Sequence, residues 1–387
     1  MKLVVVNVLG KDTTGIVAGI TKEIAARGAN IVDIEQSVIR GLFSMFLLVD
    51  PLGADLKDLK TALVLQGKKR GVGVSVSEIH KPHEYLLPDT CNYIITVLGA
   101  DKPGIVAGVS GALADVGVNI VRIKMVARGD LLAMELAVDG TGGLGFDRLR
   151  ERLRKIGEKI GVDIIMQSED DFRHARRLVV FDMDSTLIDM EVIDELAKHA
   201  GVGKQVSKIT KRAMNGHIEY KDALRERAGL LRGMDLAVLD EIANNLRFTP
   251  GSEDLITTLK EMGYKVALIS GGFTYFTDRL KGLLGLDYAY ANKLVVVDGK
   301  LTGEVEGDII DKEAKGRIIK EIAAMEGISM KHVVAIGDGA NDQIMLENAG
   351  LGIAFNAKDI LKDVADGSLT KNNLKGLMYC LGINKRR

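Results

Sequence analysis

Apolar residues in this chain follow two regimes that change near residue 170. In the first, short apolar runs alternate with amphipathic stretches, and the whole order occurs twice. "DTTGIVAGITKEIAARGANIVDI" begins at Asp12 and "DKPGIVAGVSGALADVGVNIVRI" at Asp101, setting Gly15, Asn30 and Ile31 opposite Gly104, Asn119 and Ile120. Self-similarity of this kind marks a repeated structural unit. Each copy predicts a strand (3–9; 93–98), a tight turn and a helix, with Pro103 in the helix's first turn in the second copy. Strands follow at 31–39 and 43–49, or 120–126 and 131–138, then a helix rich in Lys and Leu and a last strand at 72–77 or 163–166. That order is β-α-β-β-α-β, a ferredoxin-like α+β unit. The junction "HKPHEYLLPDT" holds two of the chain's five prolines and reads as a linker.

After "SEDDFRHARR" the apolar runs become "RLVVF", "YKVALIS", "HVVAIGD" and "GLGIAF", separated by long amphipathic stretches. Continuous apolar runs of this length predict parallel strands covered on both faces, an α/β Rossmann-like sheet. Such a sheet gathers its active site at the carboxyl ends of its strands, and Asp182, Ser270 and Asp338 each follow one. The stretch at about 190–247 is mostly helical and fits a mobile cap over that edge. The expected division is 1–80, 81–170 and 171–387.

A length of 387 residues exceeds one ordinary core. The formal charge of −1 is spread in both signs, so neither a nucleic-acid nor a membrane partner is indicated. Cys91 and Cys380 stand far apart, without the spacing of a disulfide framework or a zinc site. The opening "MKLVVVNVLGKD" reads as a first strand and not as a signal peptide, and no run reaches the roughly 20 apolar residues of a membrane span. A cytoplasmic location is expected.

Within "VVFDMDSTLIDMEVIDE", Asp182 and Asp184 are one residue apart. Together with Asp338 they need a counter-ion, and hard oxygen ligands of this type suit Mg²⁺. An ionised Asp182 could attack phosphorus, and Asp184 could then protonate a leaving oxygen and deprotonate water. Capping of the next helix is the plain alternative for both. "LISGGF" brings the Ser270 hydroxyl and the bare backbone of Gly271 and Gly272, which suit phosphate oxygens or merely turn the chain. Lys315 lies on a predicted helix, where a solvated lysine is the usual case. "VVAIGDGANDQIML" returns Asp338 and Asp342 in a glycine-bearing loop that reads as the other half of a metal site.

The order D-x-D-S-T, S-G-G, helical Lys, G-D-G-x-N-D resembles the four-motif signature of the haloacid dehalogenase superfamily of phosphotransferases. That resemblance implies Asp182 as nucleophile and Asp184 as acid and base, with Ser270 and Lys315 holding the phosphoryl group. It implies Mg²⁺ on Asp182, Asp338 and the backbone carbonyl of Asp184, with Asn341 and Asp342 beside the metal, lysine and substrate. From "DMDSTLIDMEVIDELAKHAG" through "MNGHIEYKDALRERAGLL" to "FTPG" and "SGGF", the chain resembles the phosphoserine phosphatases. On that likeness Arg227 receives the substrate carboxylate, Glu191 its ammonium group, and Gly271 offers backbone to the phosphate. Met214 and Tyr220 would shape the pocket, with Tyr220 standing where Phe is expected and Met183 likewise in place of Phe. The repeats, with D-x-x-G-I-V and Asn-Ile, resemble tandem ACT domains, the small amino-acid-sensing modules; Thr14 in the first copy replaces Pro103 of the second.

Together these likenesses imply a Mg²⁺-dependent homodimeric enzyme hydrolysing O-phospho-L-serine, the last step of serine synthesis, under amino-acid control. Two alternatives stand beside it: a related hydrolase of another phosphomonoester, and a non-catalytic amino-acid sensor.

Overall fold

The computed structural model describes residues 3–79, 92–127, 131–140, 143–173, 177–357, 359–371 and 373–383. The expected linker at 80–90, Cys91 and the side chain of Met214 lie outside the described residues. The chain packs as two compact units, Met1–Asp89 and Thr90–Arg387.

The first unit runs β1 (Leu3–Lys11), α1 (Ile16–Ala26), β2 (Asn30–Ile39), β3 (Leu42–Asp50), α2 (Leu56–Arg70) and β4 (Val72–Ile79). Its antiparallel sheet has the order β2-β3-β1-β4. Alternate residues of β1, Val4, Val6 and Val8, meet Ile16, Ile20 and Ile24 at helical spacing on α1 and Leu59 and Leu63 on α2. Gly15 caps α1 at φ 89°, a left-handed conformation that glycine adopts without a Cβ penalty. Gly104 repeats this at φ 94° in the second copy, so the shared D-x-x-G marks the same turn.

The second unit opens with β5 (Tyr93–Gly99), α3 (Ile105–Ala114), β6 (Asn119–Ala127), β7 (Leu132–Asp139), α4 (Phe146–Ile160) and β8 (Val162–Ser168), ordered β6-β7-β5-β8. Ile95 and Val97 of β5 face the helices. The opposite sheet face is covered as well: Leu98, Ala133 and Ile165 enter the core of the α/β domain. Polar contacts fasten the same junction. Asp163 accepts from the amide and hydroxyl of Thr370 at 2.9 and 2.8 Å, Gln167 donates to the Cys380 carbonyl at 2.9 Å, and Arg150 pairs with Asp366 at 2.7 Å. The second repeat and the α/β domain therefore share one packed body.

The rest continues through α5 (Glu169–Arg173) and β9 (Leu178–Phe181) into four helices over the stretch expected to form a cap, α6 (Val192–His199), α7 (Gly203–Met214), α8 (Tyr220–Gly229) and α9 (Leu236–Asn244). It returns by α10 (Ser252–Glu261), β10 (Lys265–Phe273), α11 (Thr274–Leu284), β11 (Tyr288–Val297), β12 (Lys300–Glu306) and α12 (Lys312–Met325). Then come β13 (Val333–Gly337), α13 (Gln343–Asn348), β14 (Leu351–Phe355), α14 (Asp359–Lys362), β15 (Gly367–Leu369) and α15 (Gly376–Cys380). The sheet order is β12-β11-β10-β9-β13-β14-β15, parallel except for the β11–β12 pair. Central β9 pairs with β10 through Phe181 and Leu268 and with β13 through Phe181 and Ile336. The chain leaves β9 toward β10 on one side and returns to β13 on the other, so a crevice opens at their carboxyl ends. Among the described residues no helix is long and apolar enough to cross a membrane.

Candidate active site

Three neighbouring strand ends deliver the polar residues of the crevice. Asp182 follows β9; its backbone N–H is tied to the Ile336 carbonyl of β13 at 2.9 Å and its Oδ1 accepts from the amide of Met183 at 2.7 Å. Met183, between Asp182 and Asp184, is wholly buried. Ser270, also wholly buried, comes from β10 where its pairing with β11 shifts register after Ile269. Asp338 follows β13 and accepts from the Thr186 hydroxyl at 3.2 Å.

Lys315 is wholly buried on α12, its Nζ 2.8 Å from Asp182 Oδ1 and 2.6 Å from Asp342 Oδ1. The helix is placed by Asp311, whose side chain caps it by accepting from Ala314 N at 2.9 Å. Against the cost of burial, Asp182 and Asp342 hold the Lys315 ammonium above the ordinary lysine range, so it stays charged. Asp342 also accepts from the amides of Asp338 and Gly339 at 3.2 and 3.1 Å, which draws that loop tight. A Cβ on Gly337 would collide with the Asp342 carboxylate, so the residue must be glycine.

Carboxylate oxygens of Asp182, Asp338 and Asp342 lie within 4.8 Å of one another. Burial, then Asp182 and Asp342, push the Asp338 carboxyl up to about 8. One lysine does not balance this set. A hard divalent cation fits the oxygen-only donors and the negative charge. The motif resemblance assigns Asp342 a supporting place; the structure adds its carboxylate to the cluster. Asp184 lies outside the three-carboxylate cluster, its Oδ1 accepting from Val192 N at 2.8 Å. Burial and then the nearby charge of Glu191 raise the Asp184 carboxyl well above the usual range, favouring a proton on it.

Glu191 is held by the Ser185 hydroxyl at 2.7 Å, and Ser185 adopts φ 55° to reach it. Half-buried Arg227 donates Nε to the Ala223 carbonyl at 3.2 Å, while among the described residues no carboxylate lies within ion-pair distance of its guanidinium. Arg225, two residues away, is exposed and pairs with Asp222 on its own helix. Asn341 is half-buried, its Oδ1 packed against Gly339, where a Cβ would collide with it. Gly271 faces the Tyr220 hydroxyl, which donates to its carbonyl at 3.2 Å. Thr186 closes the D-x-D-S-T motif but carries no role in the sequence reading, and Asn292, which is 2% exposed on β11 and donates to the same Gly271 carbonyl at 2.8 Å, lies outside every motif.

Residues 176–350 match the haloacid dehalogenase-like hydrolase family, and residues 2–77 and 92–167 each match the ACT domain. The chain is 54% identical over 289 residues to a phosphoserine phosphatase of Archaeoglobus fulgidus, covering 75% of this chain and 84% of that protein. It is 39% identical over 385 residues to a phosphoserine phosphatase of Streptomyces coelicolor, covering 98% of this chain and 92% of that one. A solved structure described as a phospho-aspartyl intermediate analogue of phosphoserine phosphatase superposes with a TM-score of 0.51 at 46% identity, over 53% of this chain and 99% of its own.

Proposed function

The chain belongs to the phosphoserine phosphatases, as a haloacid dehalogenase-like hydrolase carrying two ACT domains, and from that premise we propose that it cleaves O-phospho-L-serine with Mg²⁺ through an aspartyl-phosphate on Asp182. The observation that carries this reading is Lys315, buried between Asp182 and Asp342 beside the three-carboxylate cluster. Asp182, Asp338 and the backbone carbonyl of Asp184 would hold the cation, with Asp342 close by. When bound, the cation offsets charge on the carboxylates and on a phosphoryl oxygen.

Asp182 attacks phosphorus while the Asp184 carboxyl, whose hold on a proton is strengthened by burial and by Glu191, gives its proton to the leaving serine oxygen. Asp184, now ionised, takes a proton from the water that attacks the aspartyl-phosphate, and phosphate leaves. Lys315, Ser270 and Asn341 hold the equatorial oxygens as charge spreads over them. Arg227, with its guanidinium uncommitted to a carboxylate, binds the substrate carboxylate, and Glu191 binds the ammonium group. The cap excludes water around the transfer. The test is phosphate release from phosphoserine by the full chain: it should require Mg²⁺ and vanish in Asp182→Asn. Release that survives this substitution refutes the assignment.

The reaction closes serine synthesis in the cytoplasm, and an amino acid bound to the ACT domains adjusts its rate. The enzyme acts as a homodimer: β2 exposes Val32, Ile34 and Val38, apolar surface of the kind that a partner copy covers. A monomer mass by light scattering would refute the dimer.

A further inference from the structure

The Gly271 carbonyl accepts two hydrogen bonds, from Asn292 Nδ2 at 2.8 Å and from the Tyr220 hydroxyl at 3.2 Å. Asn292 belongs to the core sheet, and Tyr220 is the first residue of cap helix α8. Two donors saturate the two lone pairs of a carbonyl. A peptide group is planar, its C=O and N–H opposed. Holding the Gly271 carbonyl therefore sets the N–H of Gly272, which donates to Ser270 Oγ at 2.8 Å. With that hydroxyl oxygen already accepting from its own loop, its proton is left to be donated outward. A Cβ on Gly272 would lie 3.1 Å from Ser270 Oγ and 3.0 Å from Asp184 Oδ2, so the hydroxyl and the acid flank the same small space.

Asn292 reaches the second phosphate-binding element as well. Its Oδ1 accepts from the amide of Ile310 at 2.8 Å, one residue before the Asp311 cap of the helix that carries Lys315. The cap makes a parallel connection, because Lys221, next to Tyr220, pairs with Asp311 Oδ2 at 3.0 Å. One buried core residue and the start of one cap helix thus hold the same two elements.

We infer that Asn292 and Tyr220 are positioning residues for the phosphoryl group: they set the Ser270–Gly272 loop from both sides, and Tyr220 makes that setting depend on closure of the cap. The inference rests on the reading of the Asp182 centre as a phosphoserine phosphatase.

The test uses the full chain with Mg²⁺ and compares the unsubstituted protein with Tyr220→Phe, Asn292→Ala and the double variant. It reads kcat, KM for phosphoserine, inhibition by inorganic phosphate and the thermal midpoint. One neutral hydrogen bond corresponds to a change of about 3- to 10-fold. Tyr220→Phe should weaken phosphate inhibition by about that factor, with the midpoint falling by no more than the loss of one neutral hydrogen bond accounts for. The double variant should lose more than the product of the single losses, because its Gly271 carbonyl keeps neither donor. An unchanged phosphate inhibition constant in Tyr220→Phe, or strictly multiplicative losses, overturns the inference. Should Asn292→Ala fail to fold, Tyr220→Phe decides alone. Failure of the unsubstituted chain to hydrolyse phosphoserine would strike the functional reading instead, and calorimetric titration with inorganic phosphate would still compare the loop in all variants.

Discussion

Replacing Lys315 with methionine keeps the unbranched apolar stem and deletes one buried charge. In the intact site that charge stands 2.8 Å from Asp182 and 2.6 Å from Asp342, with all three side chains almost wholly removed from solvent. Deleting one member of a buried ion pair costs about 3–5 kcal/mol, because the other charge stays behind without a partner. Two carboxylates are left here, so chelator-treated Lys315→Met should lose the upper part of that range. For a unit of this size that is a fall of roughly 10 °C in thermal midpoint. The raised affinity of folded Lys315 for its proton means that its contribution is complete below the ordinary lysine range and is lost only as pH rises through the folded value. The deficit should therefore be the same in mildly acidic and mildly alkaline buffer. Mg²⁺ should restore more stability to the variant than to the unsubstituted protein, since the cation then meets more uncompensated negative charge. Scanning calorimetry with chelator and with Mg²⁺ makes the comparison. Coincident midpoints under chelator, or an equal Mg²⁺ gain in both proteins, would refute the argument.

Arg227→Ala removes a charged partner worth about 2–3 kcal/mol, so KM for phosphoserine should rise roughly 30- to 150-fold. Hydrolysis of an aryl phosphate monoester whose leaving group carries no charge should change little, and equal losses on both substrates would place Arg227 outside the carboxylate site. Asp184→Asn should slow release of the serine alkoxide by at least about 100-fold and that of an acidic phenol far less, because only the former needs a proton; similar losses would refute the acid role. Asp163, buried at the junction, has its carboxyl raised by burial despite the two bonds from Thr370. Its folded state binds the proton more tightly than the unfolded state, so stability falls as pH rises above the ordinary aspartate value. Thermal midpoints of Asp163→Asn should gain on the unsubstituted protein between acidic and neutral pH, and parallel curves would contradict this.

Much of the fold was legible because its signals are local. The repeated D-x-x-G turn requires glycine at Gly15 and Gly104, and both take positive φ. Asp182, Ser270 and Asp338 stand out because each ends an apolar strand, and parallel pairing then brings those ends together. Lys315 was ambiguous, since a lysine on a helix is ordinarily solvated; its burial follows from Asp182 and Asp342, far away in sequence. Asn292 was invisible for a related reason: its partners are Gly271 at the carboxyl end of β10 and Ile310 just before α12, and strand periodicity does not record them. The buried outer face of the second repeat was equally unreadable. Leu98, Ala133 and Ile165 look like any strand positions until Leu369 and Leu377 of the distant carboxyl-terminal segment join them in one core.

The most direct test of the central claim is to find where phosphorus is bonded during turnover. Full chain mixed with phosphoserine and Mg²⁺, quenched in acid within one turnover and mapped by peptide mass spectrometry, should carry one phosphoryl group, on Asp182, and none when Mg²⁺ is replaced by chelator. A phosphoryl group on any other residue, or turnover that proceeds while Asp182 is never modified, would contradict the account.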